Sequence, residues 1–268
     1  MIVKSFKVNV ISGLSSVIQS DTLLGHFAWT IKFLYGDKEL ENFIDIYKKA
    51  QNEEDFPFIA SSFFLSGKLP KPISDIIEDK IIDYEKYQTA HNTINRTSGC
   101  STEEGIFIRE KIKPDTEFRF FVKIGDEARK WEKVLNGIIK FLNEKGIGAD
   151  TSVGIGQVKI EEIDNTDIKN MLNIKNPTHY LTLSHCVSSK PVCYDTITKY
   201  GKLYSKLEVD DSLIKQPIVL LIPGSVLELS ADKILNEGVI LNAQKNDRIV
   251  HFAIPFLIPI KYTEALLC

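Results

Sequence analysis

The order of strand and helix patterns places the strongest constraint on how this chain folds. Strand-like alternation and helix-like spacing of apolar residues follow one another along the first part of the chain. The patterns are a strand at 1–10, a helix at 20–35, a short strand within 56–72, strands at 105–112 and 117–124, a helix at 126–145 and a strand at 158–163. Within this series lies the order β-α-β-β-α-β, which predicts an α+β fold of the ferredoxin-like kind.

A second, less regular unit is expected after the acidic tract around residues 161–167. Its strand patterns cover 179–186, 216–223 and 248–258. We therefore predict two domains, residues 1–165 and residues 166–268.

The strand patterns at 105–112 and 117–124 predict a β-hairpin across the segment KPDT. If its loop is Pro114–Thr116, Ile106 and Ile108 share a buried face with the apolar residues of the second strand. The opposite face then carries alternating basic and aromatic side chains, namely Phe107, Arg109, Lys111, Arg119, Phe121 and Lys123. Such a face suits RNA, although it could also pack against the second domain.

Composition argues against several classes of protein. The net charge of −3 and the pI of about 6.0 give no global attraction for nucleic acid, so RNA binding needs a local patch or neighbouring subunits. The four cysteines form no CxxC pair, which favours free thiols in a reducing compartment. The N-terminus has no signal-peptide pattern, and the apolar runs are too short to span a bilayer. We expect a cytoplasmic protein without a membrane partner.

A glycine-rich stretch, GIGADTSVGIGQ at residues 146–157, joins the second helix to the last strand of the first domain. It lacks the lysine of a P-loop and follows a helix instead of preceding one, so neither a mononucleotide nor a dinucleotide site is indicated. Two interpretations remain open. The stretch is a structural connection whose glycines allow tight turns, or its successive N–H groups cradle a phosphodiester backbone.

The remaining polar residues suggest RNA contacts more than catalysis. The five histidines lie in different elements without zinc-ligand spacing, so neither a metal nor another cofactor is expected. His26 either packs at the edge of the first helix's apolar stripe or acts as a general acid or base beside RNA, and Ser20 or Asp21 suits the N-cap. Residues 85–104, poor in aliphatic side chains, predict a projecting or mobile arm. Together with the glycine-rich stretch, this arm favours RNA over a small metabolite.

Four motifs, in this order and spacing, resemble those of one family in the RAMP (repeat-associated mysterious protein) superfamily. They are SDTLLGHFAW at 20–29, FPFIASSFFLSGKLP at 56–70, HNTINR at 91–96 and the stretch at 146–157. The family comprises the subunits that cap the 5′ end of the CRISPR RNA (crRNA) in type III-A (Csm) effector complexes, the fourth Csm protein of each complex. The resemblance covers the first domain well and the second more loosely.

The resemblance implies a fold, a function and partners. The fold would be two tandem ferredoxin-like domains, with an inserted β-hairpin thumb that contains residues 91–104 and with a glycine-rich loop. The chain would hold the 5′ repeat-derived tag of the crRNA, without catalysis and without a small-molecule substrate, in antiviral defence. Its partners would be the large polymerase-like signalling subunit and the first backbone RAMP subunit of the Csm complex.

The resemblance also implies RNA-facing residues. They are Ser20, Asp21 and His26 at the start of the first helix; His91, Asn95 and Arg96 at the thumb base, beside Asn92; and Gly146, Gly148, Ala149, Asp150, Thr151, Ser152, Gly154, Gly156 and Gln157 in the loop. Arg109 joins them from the basic–aromatic face. Thr151 departs from the family, whose members often have a basic residue there, so the loop is expected to act through its N–H groups. The rival hypothesis is a metal-independent RAMP endoribonuclease with His26 as the base.

Overall fold

The structure is a computed structural model that describes residues 1–73, 84–188, 190–201, 216–228, 240–242 and 250–262. Its elements up to the predicted domain boundary are β1 (Ile2–Val10), α1 (Ser20–Tyr35), α2 (Asp37–Lys49), β2 (Phe58–Ala60), β3 (Phe64–Leu65), β4 (Lys86–Ile94), β5 (Ser101–Ile112), β6 (Glu117–Ile124), α3 (Ala128–Lys145) and β7 (Val158–Ile163). Except for the hairpin partner discussed below, the strand and helix patterns of this part are confirmed within a few residues.

The first sheet has the strand order β2-β6-β1-β7, and every neighbouring pair is antiparallel. Counting only these four strands, the order is second, third, first, fourth, which is the ferredoxin-like order. Alternation along β1 and β6 brings Phe6 opposite Phe120, and their rings stack with centroids 4.9 Å apart. The predicted fold class is confirmed for this unit.

Helices α1 and α3 cover one face of this sheet. Leu24, Phe27 and Ile31 of α1 are buried, and α3 buries Trp131 and Leu135 beside them. Each such side chain stabilises the fold by about 1.5–3 kcal/mol relative to an exposed position. The apolar periodicity of the two helices therefore predicts their packing correctly over most of their length.

Two details of α1 differ from the sequence interpretation. The helix begins at Ser20 with Gln19 as its N-cap residue, so neither Ser20 nor Asp21 caps it. The helical spacing of apolar residues that predicts a buried stripe at Leu24, Phe27 and Ile31 also includes Leu34 and Tyr35, but these two are 43% and 47% exposed. They lie beside Gly137 of α3, because the end of α1 packs against that helix.

The predicted hairpin between 105–112 and 117–124 is wrong. β5 pairs with β4, and β6 pairs with β1 and β2 instead. β4 and β5 form a separate two-stranded hairpin, the thumb (residues 86–112), inserted between β3 and β6. The resemblance implies a thumb that contains residues 91–104. In the structure the thumb is longer and includes the whole of β4 and β5. Alternation could not reveal this, because it shows which residues share a face but not which strand is the neighbour.

The predicted burial of Ile106 and Ile108 is also wrong, since they are 73% and 64% exposed on the thumb. The proposed basic–aromatic face is divided between the thumb and the first sheet. Lys111, Phe121 and Lys123 are buried and Arg119 is half-buried, so only Phe107 and Arg109 of the set are exposed.

The second unit follows with a four-stranded antiparallel sheet of its own. Its elements are α4 (Thr166–Leu172), β8 (His179–Thr182), β9 (Pro191–Cys193), β10 (Thr196–Lys199), β11 (Ile218–Leu221), β12 (Val226–Glu228), β13 (Ile240–Asn242), β14 (Val250–Phe252) and β15 (Leu257–Ile260). Counting only its four strands, the sheet order β15-β8-β12-β9 is fourth, first, third, second, which is the order of the first sheet read from the opposite edge. The tandem ferredoxin-like architecture implied by the resemblance is confirmed, and the predicted strand at 248–258 is interrupted near Pro255.

The second unit packs on the face of the first sheet that the helices leave uncovered. The rings of Phe121 and Phe256 lie 6.3 Å apart, and the Lys123 ammonium donates to the Leu257 carbonyl at 3.0 Å. Lys123 also pairs with the Glu53 carboxylate. Burial lowers the pKa of Lys123 while Glu53 raises it. Lys123 and Phe121 are therefore interface residues between the units, as the alternative interpretation of the basic–aromatic face held.

Two further expectations concern the environment of the protein. In the residues covered by the structure, no helix has the length and apolar character needed to cross a membrane. Cys100 and Cys186 are free, in agreement with the expectation of free thiols at these two positions.

Candidate nucleic-acid interface

The glycine-rich loop, residues 146–157, connects α3 to β7 through a narrow neck. All four of its glycines have positive φ, which glycine adopts without strain. At the neck the Ile147 N–H donates to the Gly156 carbonyl at 2.8 Å. A Cβ on Gly156 would lie 2.2 Å from the Ile147 carbonyl oxygen, and one on Gly146 would lie 2.8 Å from the Gly156 oxygen. The neck glycines are thus required by the close approach of two backbone segments.

Most N–H groups of the loop donate within the fold. Their acceptors include the His26 imidazole for Gly148 at 3.1 Å, the Ser12 hydroxyl for Gln157 at 3.0 Å and backbone carbonyl groups for residues 153–156. Among the residues that the structure covers, nothing accepts from the N–H groups of 149–152. This segment lies at the tip of the loop, where Ala149 and Ser152 are exposed. The possible phosphate cradle is therefore confined to four residues.

His26 connects α1 to the loop. Its Nε2 accepts the hydrogen bond from Gly148, so the neutral ring carries its proton on Nδ1. Burial lowers the pKa of His26, which keeps the ring neutral at pH 7. A general base needs an acceptor nitrogen that can reach the substrate. Because Nε2 is engaged by the loop, this geometry supports a positioning role for His26 more than a catalytic one.

Ser20 and Asp21 lie away from the exposed part of this site, in the contact between the two units. The Ser20 hydroxyl accepts from the His185 N–H at 2.9 Å. Asp21 is 9% exposed and pairs with the Lys199 ammonium, and its Oδ2 lies 3.3 Å from His251 Nε2. The structure assigns both residues contacts within the protein. Sequence reasoning missed this cluster because Ser20 lies 165 residues from His185 along the chain, and Asp21 lies 178 residues from Lys199.

The thumb presents a stacked aromatic surface. His91 on β4 lies opposite Phe107 on β5, and their rings stack at 5.3 Å with planes 14° apart. The Arg109 guanidinium lies over the same Phe107 ring at 5.1 Å. Phe107 remains 40% exposed, so it can stack with an unpaired base.

Asn92, Asn95 and Arg96 are exposed along the outer part of the thumb. The Asn95 side chain accepts from the Thr97 N–H at 2.9 Å and shapes the turn between β4 and β5. The implied position of Asn95 and Arg96 at the thumb base is therefore wrong. They lie at its tip, because both strands of the hairpin extend further than the motif alone indicates.

An ion pair connects the thumb to the loop. Arg109 Nη1 donates to both carboxylate oxygens of Asp150, at 3.0 and 2.8 Å. The pair brings the aromatic surface of the thumb beside the N–H groups of 149–152. The structure thus assembles His26, His91, Arg109 and the loop into one region and leaves Ser20, Asp21 and the thumb tip outside it.

Comparison with known proteins agrees with this architecture. Residues 9–159, more than half of the chain, match the family model of the RAMP superfamily. This chain belongs to the RAMP superfamily. A search of the curated proteins finds no match.

Solved structures resemble the whole chain in fold. One comes from a Csm3–Csm4 subcomplex of a type III-A CRISPR–Cas interference complex, with a TM-score of 0.66 and 16% identity over 97% of this chain and 100% of the other. Chains from Csm1–Csm4 cassettes bound to cA4 or pppApA have TM-scores of 0.59 and 0.57 and identities of 15% and 14%, respectively. Each match covers 97% of this chain and 99% of the other. These likenesses extend over both units.

Proposed function

We propose that this chain is the non-catalytic RAMP subunit of a type III-A CRISPR effector complex that holds the 5′ repeat-derived tag of the crRNA. It would join the large signalling subunit to the backbone RAMP filament in antiviral defence in the cytoplasm. Family membership and full-length likeness to chains from Csm3–Csm4 and Csm1–Csm4 assemblies support this assignment.

The observation that carries the proposal is the junction of loop and thumb. Four N–H groups with no acceptor among the described residues suit phosphate oxygens, and the stacked pair His91 and Phe107 suits a base. A site of this kind binds single-stranded RNA through backbone and stacking contacts. Of the two histidines in this region, His26 already uses Nε2 to accept a hydrogen bond from the loop, and His91 stacks on Phe107.

The net charge of −3 predicts how affinity depends on assembly. The isolated chain attracts RNA weakly and in a salt-sensitive way, whereas neighbouring subunits complete the binding surface. We expect tight retention of crRNA only in the assembled complex. Equal, salt-independent affinity of the isolated chain and the complex would contradict this expectation.

The test is to purify the assembled complex and sequence the 5′ ends of the RNA that it retains. Phe107→Ala should reduce RNA affinity by about five- to 150-fold, because stacking on an aromatic side chain contributes about 1–3 kcal/mol per base. Tyr194→Ala is a matched control, since Tyr194 is also an exposed aromatic residue but lies in the second unit. Random 5′ ends, or equal losses with both variants, would refute the proposal.

The nuclease hypothesis makes a different prediction. Incubation of the purified chain with CRISPR repeat RNA in EDTA should give no specific product. Specific cleavage that His26→Ala abolishes would show that the subunit is an enzyme and would overturn its non-catalytic assignment.

A further inference from the structure

The ion pair between Arg109 and Asp150 joins a possible phosphate-binding cation to a carboxylate at the place where phosphate is expected. The two side chains come from the thumb and the loop, 41 residues apart along the chain. Arg109 is about half exposed and Asp150 about a quarter exposed. Because both groups remain accessible to water, the pair can exchange its partners.

Arg109 is oriented for an anion before any RNA arrives. Its guanidinium lies over the Phe107 ring, and its residue is held in the thumb ladder opposite Thr89. A guanidinium matches carboxylates and phosphates in the same bidentate manner, so the two anions are direct alternatives for it. In the part of the chain that the structure covers, Asp150 is its carboxylate partner.

Asp150 is held in a conformation that presents its carboxylate at the loop tip. Its φ of 63° is left-handed, a region that aspartate and asparagine tolerate better than most residues. Its own N–H belongs to the group of 149–152 that donates no hydrogen bond to the described residues. A phosphate bound to these N–H groups would therefore lie beside a like charge unless the carboxylate moved away.

We propose that Asp150 is an internal competitor for the RNA phosphate that Arg109 binds at the thumb–loop junction. The inference rests on the proposed function, which it deepens. RNA must exchange the carboxylate for a phosphodiester oxygen at Arg109, and this exchange reduces affinity for RNA that makes no other contacts. A segment that also stacks on Phe107 and binds the neighbouring subunits compensates for the lost ion pair.

The test is a double-mutant cycle on the full chain. Binding of a short fluorescein-labelled single-stranded RNA of mixed sequence is measured by fluorescence anisotropy at low salt, for wild type, Asp150→Asn, Arg109→Gln and the double variant. Asparagine keeps the shape and the left-handed backbone of Asp150 while removing its charge. Glu144→Gln is the control, because it removes one exposed acidic charge near the loop at the end of α3.

Asp150→Asn should tighten binding about two- to fivefold, the range expected for loss of a competing exposed ion pair. Arg109→Gln should weaken binding, and Asp150→Asn should give no gain in its presence. Glu144→Gln should change affinity less than Asp150→Asn does.

Five results would overturn the inference. Weaker binding by Asp150→Asn would show that Asp150 orients Arg109. An equal gain in affinity with Glu144→Gln would show that the effect comes from net charge alone. So would a gain from Asp150→Asn that persists when Arg109 is replaced by Gln. If the assembled wild-type complex contains no crRNA, both the proposed function and this inference are overturned. If the complex retains crRNA normally but Asp150→Asn binds RNA with wild-type affinity, only the inference about Asp150 is refuted.

Discussion

Asp21→Asn tests how the two units are held together. The Asp21 carboxylate, at the start of α1, accepts the Lys199 ammonium from the second unit through both oxygens. Their side chains are 6% and 19% exposed. Burial lowers the pKa of Lys199, while Asp21 raises it. The substitution keeps the shape of the side chain and leaves a largely buried ammonium without its counter-charge.

Breaking one partner of a buried ion pair costs about 3–5 kcal/mol. Lys199 keeps some contact with water and can turn toward it, so we expect a loss at or below the lower end, about 2–3 kcal/mol in the free energy of unfolding. For a chain of this size such a loss lowers Tm by roughly 4–10 °C. The unpaired Lys199 is protonated more easily in the unfolded chain than in the folded one. The stability lost in Asp21→Asn should therefore become smaller as the pH rises toward the ordinary pKa of lysine.

The assay is urea unfolding followed by tryptophan fluorescence. Asp45→Asn is the matched control, because Asp45 is an exposed acidic residue of α2 and should change stability by less than about 0.5 kcal/mol. Asp21→Asn combined with Lys199→Met should recover part of the loss, since it removes both charges. A stability of Asp21→Asn equal to that of the control would refute the role assigned to the pair.

Two further predictions follow from the loop and from the interface. Gly156→Ala should destabilise the fold by about 2–3 kcal/mol in urea unfolding, because its Cβ would meet the Ile147 carbonyl, whereas Gly154→Ala, with open space around its Cβ, should cost about 1 kcal/mol. Similar losses for both would contradict the neck geometry. Burial lowers the pKa of His185, whose Nδ1 lies 2.9 Å from the Ser62 hydroxyl, to about 4 from an ordinary 6.5. At pH values between these two pKa values the unfolded chain binds more protons than the folded chain. The free energy of unfolding should therefore fall by up to about 3 kcal/mol as the pH drops from the higher to the lower value. His185→Gln should lose this part of the pH dependence, and an unchanged profile would exclude His185 as its source.

The candidate site was predictable in its parts more than in its arrangement. The motifs at 91–96 and 146–157 identified the thumb and the loop, and the loop's position between a helix and a strand excluded the common nucleotide sites. The expectation for Arg109 rests on a sheet face shared by 105–112 and 117–124, and this face does not exist because 105–112 pairs with β4. Phe107 was visible in the same alternating pattern, but its stacking on His91 required the β4–β5 pairing.

The β-α-β-β-α-β order, the family motifs and the packing faces of α1 and α3 over most of their length could be predicted from the chain, because periodicity and glycine placement are local properties. The pairing of 105–112 with 86–94, the contact of Asp21 with Lys199 and the ion pair of Arg109 with Asp150 became visible only in the folded chain. Each of these contacts joins segments distant in sequence. Strand partners and ion pairs of this kind depend on how the whole fold closes, and alternation specifies a face without specifying what covers it.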